Sequence, residues 1–322
     1  MNPIRVGILG CANIATRSLL PAFARHPAYV VQAVASRDPA KAARVAAAYG
    51  CAARGYAELT AADDVDAIYV PLPTGLHAEW VARCLRNGKH VLCEKSLAST
   101  RTEVEELVAL ARSARLLLVE NFQFRFHSQH RHVREMLAAG AIGAVRCFRS
   151  SFGFPPFADA QNIRYSRALG GGALLDAGAY TLKAVTFMLG PAFRVQAATL
   201  WTPPGADVDI SGGAYLDNGQ GLPAEVAFGF DHFYQCNYEV WGSKGRLLAR
   251  RAFTAPPGFP PEVILETAQG TETRTLPPDD HFANMLTHFA ACLERRDFDD
   301  EYEQSLVQAA LVQQVRERAY GK

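Results

Sequence analysis

Asp176, Tyr180 and Lys183 stand four and three residues apart in a run, Gly170 to Leu189, that is otherwise almost wholly apolar. On an α-helix that spacing puts a carboxylate, a phenol and an ammonium on one face. Gly170, Gly171 and Gly172 lead into the run and Gly190-Pro191 stops it, so the stretch reads as one continuous helix of about four to five turns. A helix apolar nearly all round is buried. Buried polar groups need partners or a task.

Other reactive side chains form no such set. His130 and His132 on a helix point about 200° apart and cannot share an ion. His127 and His130 can share a face but lack a third ligand, so no metal is expected. Ser150, Ser151 and Ser211 have no nucleophile-elbow context. Arg164, shortly before the glycines, is either a contact for a substrate phosphate or a surface arginine. Phe122, Phe124, Phe126, Phe152, Phe154 and Phe157 are expected mainly in the core, with one or two walling a pocket.

The elements that must position these groups fall into two domains, expected at 1–121 and 122–322. In the first, apolar strands at 4–9, 29–35, 65–70, 90–93 and 115–119 alternate with helices ending near 25, 49, 87 and 113. That alternation implies βαβ units and a doubly wound parallel sheet of the Rossmann kind. Its first turn reads Gly10-Cys11-Ala12-Asn13-Ile14-Ala15, a dinucleotide fingerprint with alanine in the second glycine's place. One methyl there displaces a pyrophosphate slightly without excluding it; the alternative is an ordinary strand-to-helix turn.

After the second strand comes Ala35-Ser36-Arg37-Asp38-Pro39. Asp38 before Pro39 suits a helix cap, which accounts for the acid without giving it to a ribose hydroxyl. Ser36 and Arg37, with Lys41 beside them, then face a 2′-phosphate; the alternative is an arginine solvated on a loop. NADP(H) is therefore expected over NAD(H). Pro71-Leu72-Pro73-Thr74-Gly75-Leu76-His77 makes a rigid loop at the carboxyl edge of the sheet, where ligands of such folds bind. His77 is either part of that site or a helix-start residue without chemistry.

Beyond Asn121 one helix, 129–139, precedes strands at 145–152, 194–201, 211–217, 224–230 and 235–241. Strands without intervening helices imply an α+β domain with a large, mainly antiparallel, open sheet. In 234–241, Tyr234, Cys236, Tyr238 and Val240 alternate with polar residues, as a half-buried strand does. Ser243-Lys244-Gly245 signals a hairpin turn, and Pro256 to Pro261 a rigid surface loop. Helices at 280–294 and 303–318 are amphipathic and are expected to pack back on either domain.

Composition excludes several classes of function. The 322 residues are 49% hydrophobic and 20% charged with a net charge of +1, and no basic block points to nucleic acid or an anionic membrane. Seven scattered cysteines without a Cys-x-x-Cys pair fit reduced thiols. The first strand begins after three residues with no charged leader region, and no uncharged run reaches the ~20 residues that span a bilayer. A cytoplasmic location is expected.

His90-Val91-Leu92-Cys93-Glu94-Lys95-Ser96-Leu97 and Gly170-Gly171-Gly172-Ala173-Leu174-Leu175-Asp176-Ala177-Gly178-Ala179-Tyr180 together resemble the Gfo/Idh/MocA family of oxidoreductases over essentially the whole chain. The family's hallmarks are a Glu-Lys-Pro element and a Gly-rich stretch ending in Asp-x-Gly-x-His or Tyr. Ser96 replaces the proline, Tyr180 the histidine of many sugar and inositol dehydrogenases, and Lys183 their second aspartate. Gly10-Cys11-Ala12-Asn13-Ile14-Ala15, Pro71 to His77 and Asn121-Phe122-Gln123-Phe124-Arg125-Phe126-His127 look more like the branch of nucleotide-sugar (dTDP-3-keto-6-deoxyhexose) 3-ketoreductases.

The resemblance implies that Lys95, Asp176 and Tyr180 flank the substrate beside the nicotinamide of NADPH. It implies that Glu94 and Lys95 belong to the cofactor edge with Gly10, Cys11, Ala12, Asn13, Ile14, Ser36, Arg37, Lys41, Pro71, Leu72, Thr74 and His77. It also implies a homodimer or homotetramer through the open face of the second sheet. The mechanism to be expected has Tyr180 donating a proton to a sugar ketone as hydride reaches its carbon. Lys95 makes the phenol more acidic and steadies the alkoxide, and Asp176 orients Lys95 or binds a substrate hydroxyl. Two alternatives stay open: a dehydrogenase of a free sugar, polyol or trans-dihydrodiol, and a non-catalytic nicotinamide-binding sensor.

Overall fold

A computed structural model describes residues 2–159 and 161–321. The chain divides into two compact units, Met1–Asn121 with Phe282–Leu306, and Phe122–His281 with Val307–Lys322.

The first unit holds β1 (Ile4–Leu9), α1 (Leu20–Arg25), β2 (Tyr29–Ala35), α2 (Pro39–Tyr49), β3 (Ala52–Arg54), α3 (Tyr56–Ala61), β4 (Ala67–Val70), α4 (His77–Arg86), β5 (His90–Glu94), α5 (Arg101–Ala114) and β6 (Leu118–Asn121). Among the described residues its sheet runs β3-β2-β1-β4-β5-β6, every pair parallel. The chain crosses from one side of β1 to the other between β3 and β4, so the carboxyl ends of β1 and β4 flank the switch point where such sheets bind ligands. β4 is buried at every position, as a strand covered on both faces must be. Asp38 caps α2, its carboxylate accepting from Ala40 N at 2.9 Å and Lys41 N at 3.1 Å.

β3 and α3 stand where no element was expected; three residues, Ala-Ala-Arg, are too few to show a period. The strand expected at 115–119 begins only at Leu118, because Arg115 closes α5 in the left-handed region (φ 53°) and Leu116 N bonds back to Ala111 O. The segment 282–306, inside the second domain's span in sequence and expected to pack on either domain, packs in the first unit. Tyr29 Oη donates to Leu286 O (2.7 Å) and Tyr302 Oη to the carbonyl of Leu116.

The second unit holds α6 (Ser128–Ala138), β7 (Val145–Gly153), α7 (Ala179–Leu189), β8 (Arg194–Trp201), β9 (Ser211–Asp217), β10 (Pro223–Gly229), β11 (Gln235–Gly242), β12 (Gly245–Ala249), β13 (Glu262–Thr267) and β14 (Gly270–Thr275). α8 (His281–Arg295) then runs in the first unit, and α9 (Asp299–Tyr320) belongs to the first up to Leu306 and to the second from Val307. The sheet order is β14-β13-β12-β11-β7-β10-β9-β8, antiparallel except for β7 with β10. In β11, Cys236, Tyr238 and Val240 are buried, whereas Tyr234 lies just before the strand and is exposed. Tyr238 stacks on Phe148 with ring centroids 5.4 Å apart. α7 supplies the other half of this core with Ala179, Leu182, Ala184 and Val185.

The run after the three glycines departs from one continuous α-helix. Leu174–Gly178 forms a wider, π-type turn before α7 begins at Ala179. Its start is held from far along the chain: Asp209 accepts Ala173 N through its carbonyl (2.8 Å) and Leu174 N through its carboxylate (2.7 Å). Gly172 sits at φ +112°, and a Cβ there would lie 2.6 Å from Asp209 Oδ1. A Cβ on Gly171 would lie 2.5 Å from Arg164 O and 2.8 Å from Ser166 O. The glycines admit one carboxylate and one short loop against the helix start.

Candidate active site

On the first unit, the carboxyl edge of the sheet opens into a cleft of about 160 Å³ lined by Gly10, Cys11, Ala12, Ser36, Arg37, Lys41, Tyr56, Pro71, Leu72, Pro73 and Leu76. Eight residues expected at the cofactor edge line it: Gly10, Cys11, Ala12, Ser36, Arg37, Lys41, Pro71 and Leu72. Gly10, at φ +131°, turns the chain out of β1 where a side chain would crowd Leu72. Ala12 leaves the cleft open. The Cys11 thiol, pushed up by burial, points to Ala35 O at 3.6 Å and is a wall, not a nucleophile. With Asp38 committed to α2, the edge beyond β2 offers Ser36, Arg37 and Lys41, an anion-binding set that fits a 2′-phosphate. Tyr56 joins them from α3, an element the sequence did not signal.

Asn13, Ile14 and Thr74 do not line this cleft. His77 is a correction. It is fully buried, with Nδ1 2.8 Å from Ser96 O and Nε2 2.7 Å from Leu72 O, so it ties the loop after β4 to the turn after β5 instead of meeting a ligand. Burial pushes its pKa down.

Lys95 leaves β5 from a backbone fixed on every side. Glu94 Oε1 accepts from Tyr69 Oη (2.7 Å) and Asn121 Nδ2 (2.8 Å); burial raises this carboxyl, against the pull of both bonds. Glu94 thus joins three parallel strands at their carboxyl ends. The Lys95–Ser96 peptide is cis. Leu97 N donates to Glu120 Oε1 at 2.8 Å.

A wider cleft, about 1280 Å³, opens at the amino ends of the same strands, among Ile4, Val30, His90, Arg112 and Arg296. Arg5 there is paired with Asp66 and Arg112 with Glu303. Ligands of doubly wound sheets bind at the carboxyl ends, which is the edge where the smaller cleft lies.

On the second unit, the Asp176–Tyr180–Lys183 face lies along the π-type turn and α7. Tyr180 is 6% exposed, its ring within 5.3–5.9 Å of Phe122, Phe124, Phe152 and Phe253. Its hydroxyl accepts from Gln123 Nε2 at 3.2 Å. Lys183 is 3% exposed, with Nζ 5.6 Å from the centre of the Phe122 ring. Asp176 Oδ2 accepts from Arg164 Nε at 2.6 Å, and the Arg164 guanidinium lies 4.9 Å over Phe157. Arg164 therefore serves the carboxylate. Gln123, Asp209 and Tyr56 are the neighbours of the candidate site residues that sequence reasoning missed. Gln123 alone carried a signal, since it stands in the Asn121 to His127 stretch.

His127, His130 and His281 are buried together in this unit, with ring centroids 6.4 and 5.8 Å from His127. His130 faces Tyr238 Oη and Ala252 O, and no metal-binding group of His, Cys, Asp or Glu exists among the described residues. Also among the described residues, no helix is long and apolar enough to cross a membrane.

A doubly wound sheet ending in Glu-Lys, with a second unit presenting Asp-x-Gly-x-Tyr on a buried helix, defines a two-domain oxidoreductase. Residues 4–122 match the oxidoreductase family NAD-binding Rossmann fold, and 130–248 the GFO/IDH/MocA C-terminal domain. The chain belongs to the Gfo/Idh/MocA family. It is 45% identical over 317 residues to the dTDP-3,4-didehydro-2,6-dideoxy-alpha-D-glucose 3-reductase of Actinomadura kijaniata, covering 98% of this chain and 95% of that one. It is 44% identical to the enzyme of that name from Saccharopolyspora spinosa, covering 89% and 87%. Among solved structures, KijD10, a 3-ketoreductase from Actinomadura kijaniata in complex with NADP and TDP-benzene, is similar with a TM-score of 0.95 at 45% identity, covering 99% and 98%.

Proposed function

We propose that the protein is an NADPH-dependent reductase of the keto group of a nucleotide-linked sugar. The observation that carries this reading is a buried tyrosine, Tyr180, in an aromatic cage, at the position where dehydrogenases of the family often have histidine. The near full-length likeness to dTDP-sugar 3-reductases supports the same substrate class.

Bound NADPH supplies the hydride. Ser36, Arg37 and Lys41 would hold its 2′-phosphate, and Gly10, Cys11 and Ala12 with Pro71 and Leu72 would accept its backbone. Tyr180 donates its hydroxyl proton to the ketone oxygen. The phenyl rings around it exclude water, so the proton goes to substrate rather than to solvent. Lys95 steadies negative charge on the oxygen while the proton moves. Asp176, held by Arg164, accepts a substrate hydroxyl and so orients the sugar.

Trp201, Tyr215 and Trp241 are exposed on the outer face of the second sheet, an aromatic surface of the kind that subunits cover. It supports assembly into a homodimer or homotetramer. All seven cysteines are free, which supports a reducing, cytoplasmic setting.

The test follows nicotinamide absorbance with purified protein, offering NADPH or NADH with a dTDP-linked 3-keto sugar, then NADP⁺ with free sugars, polyols and dihydrodiols. Turnover of the keto sugar with preference for NADPH is expected. Oxidation of free sugars or diols without turnover of the keto sugar overturns the reading.

A further inference from the structure

Gln123 opens the 3₁₀ turn Gln123–Phe126 that follows β6. Its side chain is 7% exposed, and its Nε2 donates to the Tyr180 hydroxyl oxygen at 3.2 Å. The other end of the amide, Oε1, is buried without a hydrogen-bond partner among the described residues. A buried amide committed to one oxygen at one end and unsatisfied at the other is costly for stability alone.

The cost has a chemical return at Tyr180. A phenol carries one proton and two lone pairs. An N–H on one lone pair does not compete for the phenol's own proton, and the oxygen keeps that donor once the proton has left. The reverse amide orientation would take that proton and oppose donation.

We infer that Gln123 is a positioning residue for Tyr180, its amide N–H holding the phenolic oxygen as an acceptor so that the hydroxyl proton is directed to substrate and the resulting phenolate is stabilised. The inference rests on the proposed role of Tyr180 as the acid. The step balances: the Tyr180 O–H bond breaks, an O–H bond forms on the substrate oxygen, and Gln123 keeps its own protons.

The experiment compares the unaltered protein with Gln123→Met, which keeps length without the amide, and Gln123→Glu, which is isosteric. Each is paired with its Tyr180→Phe counterpart, and the difference in ultraviolet absorbance with pH isolates the Tyr180 phenolate. The ionisable groups on the surrounding elements, Asp176 and Lys183 on the helix, Arg125 on the turn and His130 behind Phe124, are common to every pair. The phenolate midpoint is expected to rise by about one pH unit in Gln123→Met and by more in Gln123→Glu.

In ketone reduction, kcat should fall about tenfold with KM changed less than about threefold, and the alkaline limb should move up with the midpoint. A midpoint that does not move, or that falls, overturns the inference; so does a loss of kcat in Gln123→Met that persists undiminished when Tyr180 is already phenylalanine. The titration needs no turnover. Failure of the unaltered protein to reduce the keto sugar therefore counts against the proposed reaction, while the phenolate midpoint still decides Gln123. Should Gln123→Met not fold, Gln123→Glu carries the same readout.

Discussion

Arg164 Nε lies 2.6 Å from Asp176 Oδ2, twelve residues further along the chain. Backbone bonds make the meeting possible: Gly171 N donates to Ser166 O and Gly172 N to Arg164 O, both at 2.9 Å. Any Cβ on Gly171 would collide with the same carbonyls. The glycines before the helix thus hold an arginine against the carboxylate that the helix presents.

Loss of that pair should appear in turnover more than in folding. Both side chains are partly exposed, 39% and 19%, so their attraction is screened. Arg164→Gln and Asp176→Asn should each lower kcat/KM about tenfold, and the double variant should lose clearly less than the product of the two. Strict additivity in such a cycle would show that the pair does not act as a unit.

Tyr180→Phe removes one oxygen and leaves the ring in its cage. Turnover should fall by roughly 10²–10⁴ with the thermal midpoint little changed. A loss of only a few-fold at saturating substrate would take the acid role away from Tyr180.

Arg37 reports on the cofactor edge. Arg37→Ala should raise KM for NADPH about tenfold or more and leave KM for NADH nearly unaltered, because one charge-assisted phosphate contact is worth about 1.5–3 kcal/mol. Equal effects on the two cofactors would move the 2′-phosphate elsewhere.

Stability should fall on acidification. Burial pushes His130 and His281 down to about 3. Unfolded, both titrate near the ordinary 6.5, so below that pH the unfolded chain binds more protons. Their contribution is complete above pH 6.5 and is lost progressively toward pH 3, at up to about 1.4 kcal/mol per pH unit for each histidine. His288 works the other way. Burial opposes its charge, but Cys292 and Glu301 outweigh that and raise it to about 9, so its contribution is present below pH 6.5 and is lost as pH rises to about 9. Urea midpoints measured from pH 5 to 9 should therefore peak near neutrality. A midpoint unchanged between pH 7 and 5 would contradict the neutral burial of His130 and His281.

Much of this architecture was legible before any coordinates. Apolar runs of strand length alternating with helices marked the parallel sheet, Asp38-Pro39 marked the start of α2, and alternation marked β11. Other parts carried no local mark. β14, Gly-Thr-Glu-Thr-Arg-Thr, is an edge strand without a buried face, so it has no apolar period to read. His77 sat in a plausible ligand loop, and only packing revealed that carbonyls from two loops lie against its two ring nitrogens.

By itself the sequence determined that a carboxylate, a phenol and an ammonium lie within two turns of one apolar helical run, and that a Glu-Lys closes a strand elsewhere. Those facts follow from spacing, and spacing is set by backbone geometry within a few turns. Tertiary structure alone decided that the helix opens with a wider turn held by Asp209, that Arg164 serves Asp176, and that Gln123 meets Tyr180. Each joins residues 12 to 57 positions apart. Such contacts depend on how the whole core closes, which no local pattern encodes.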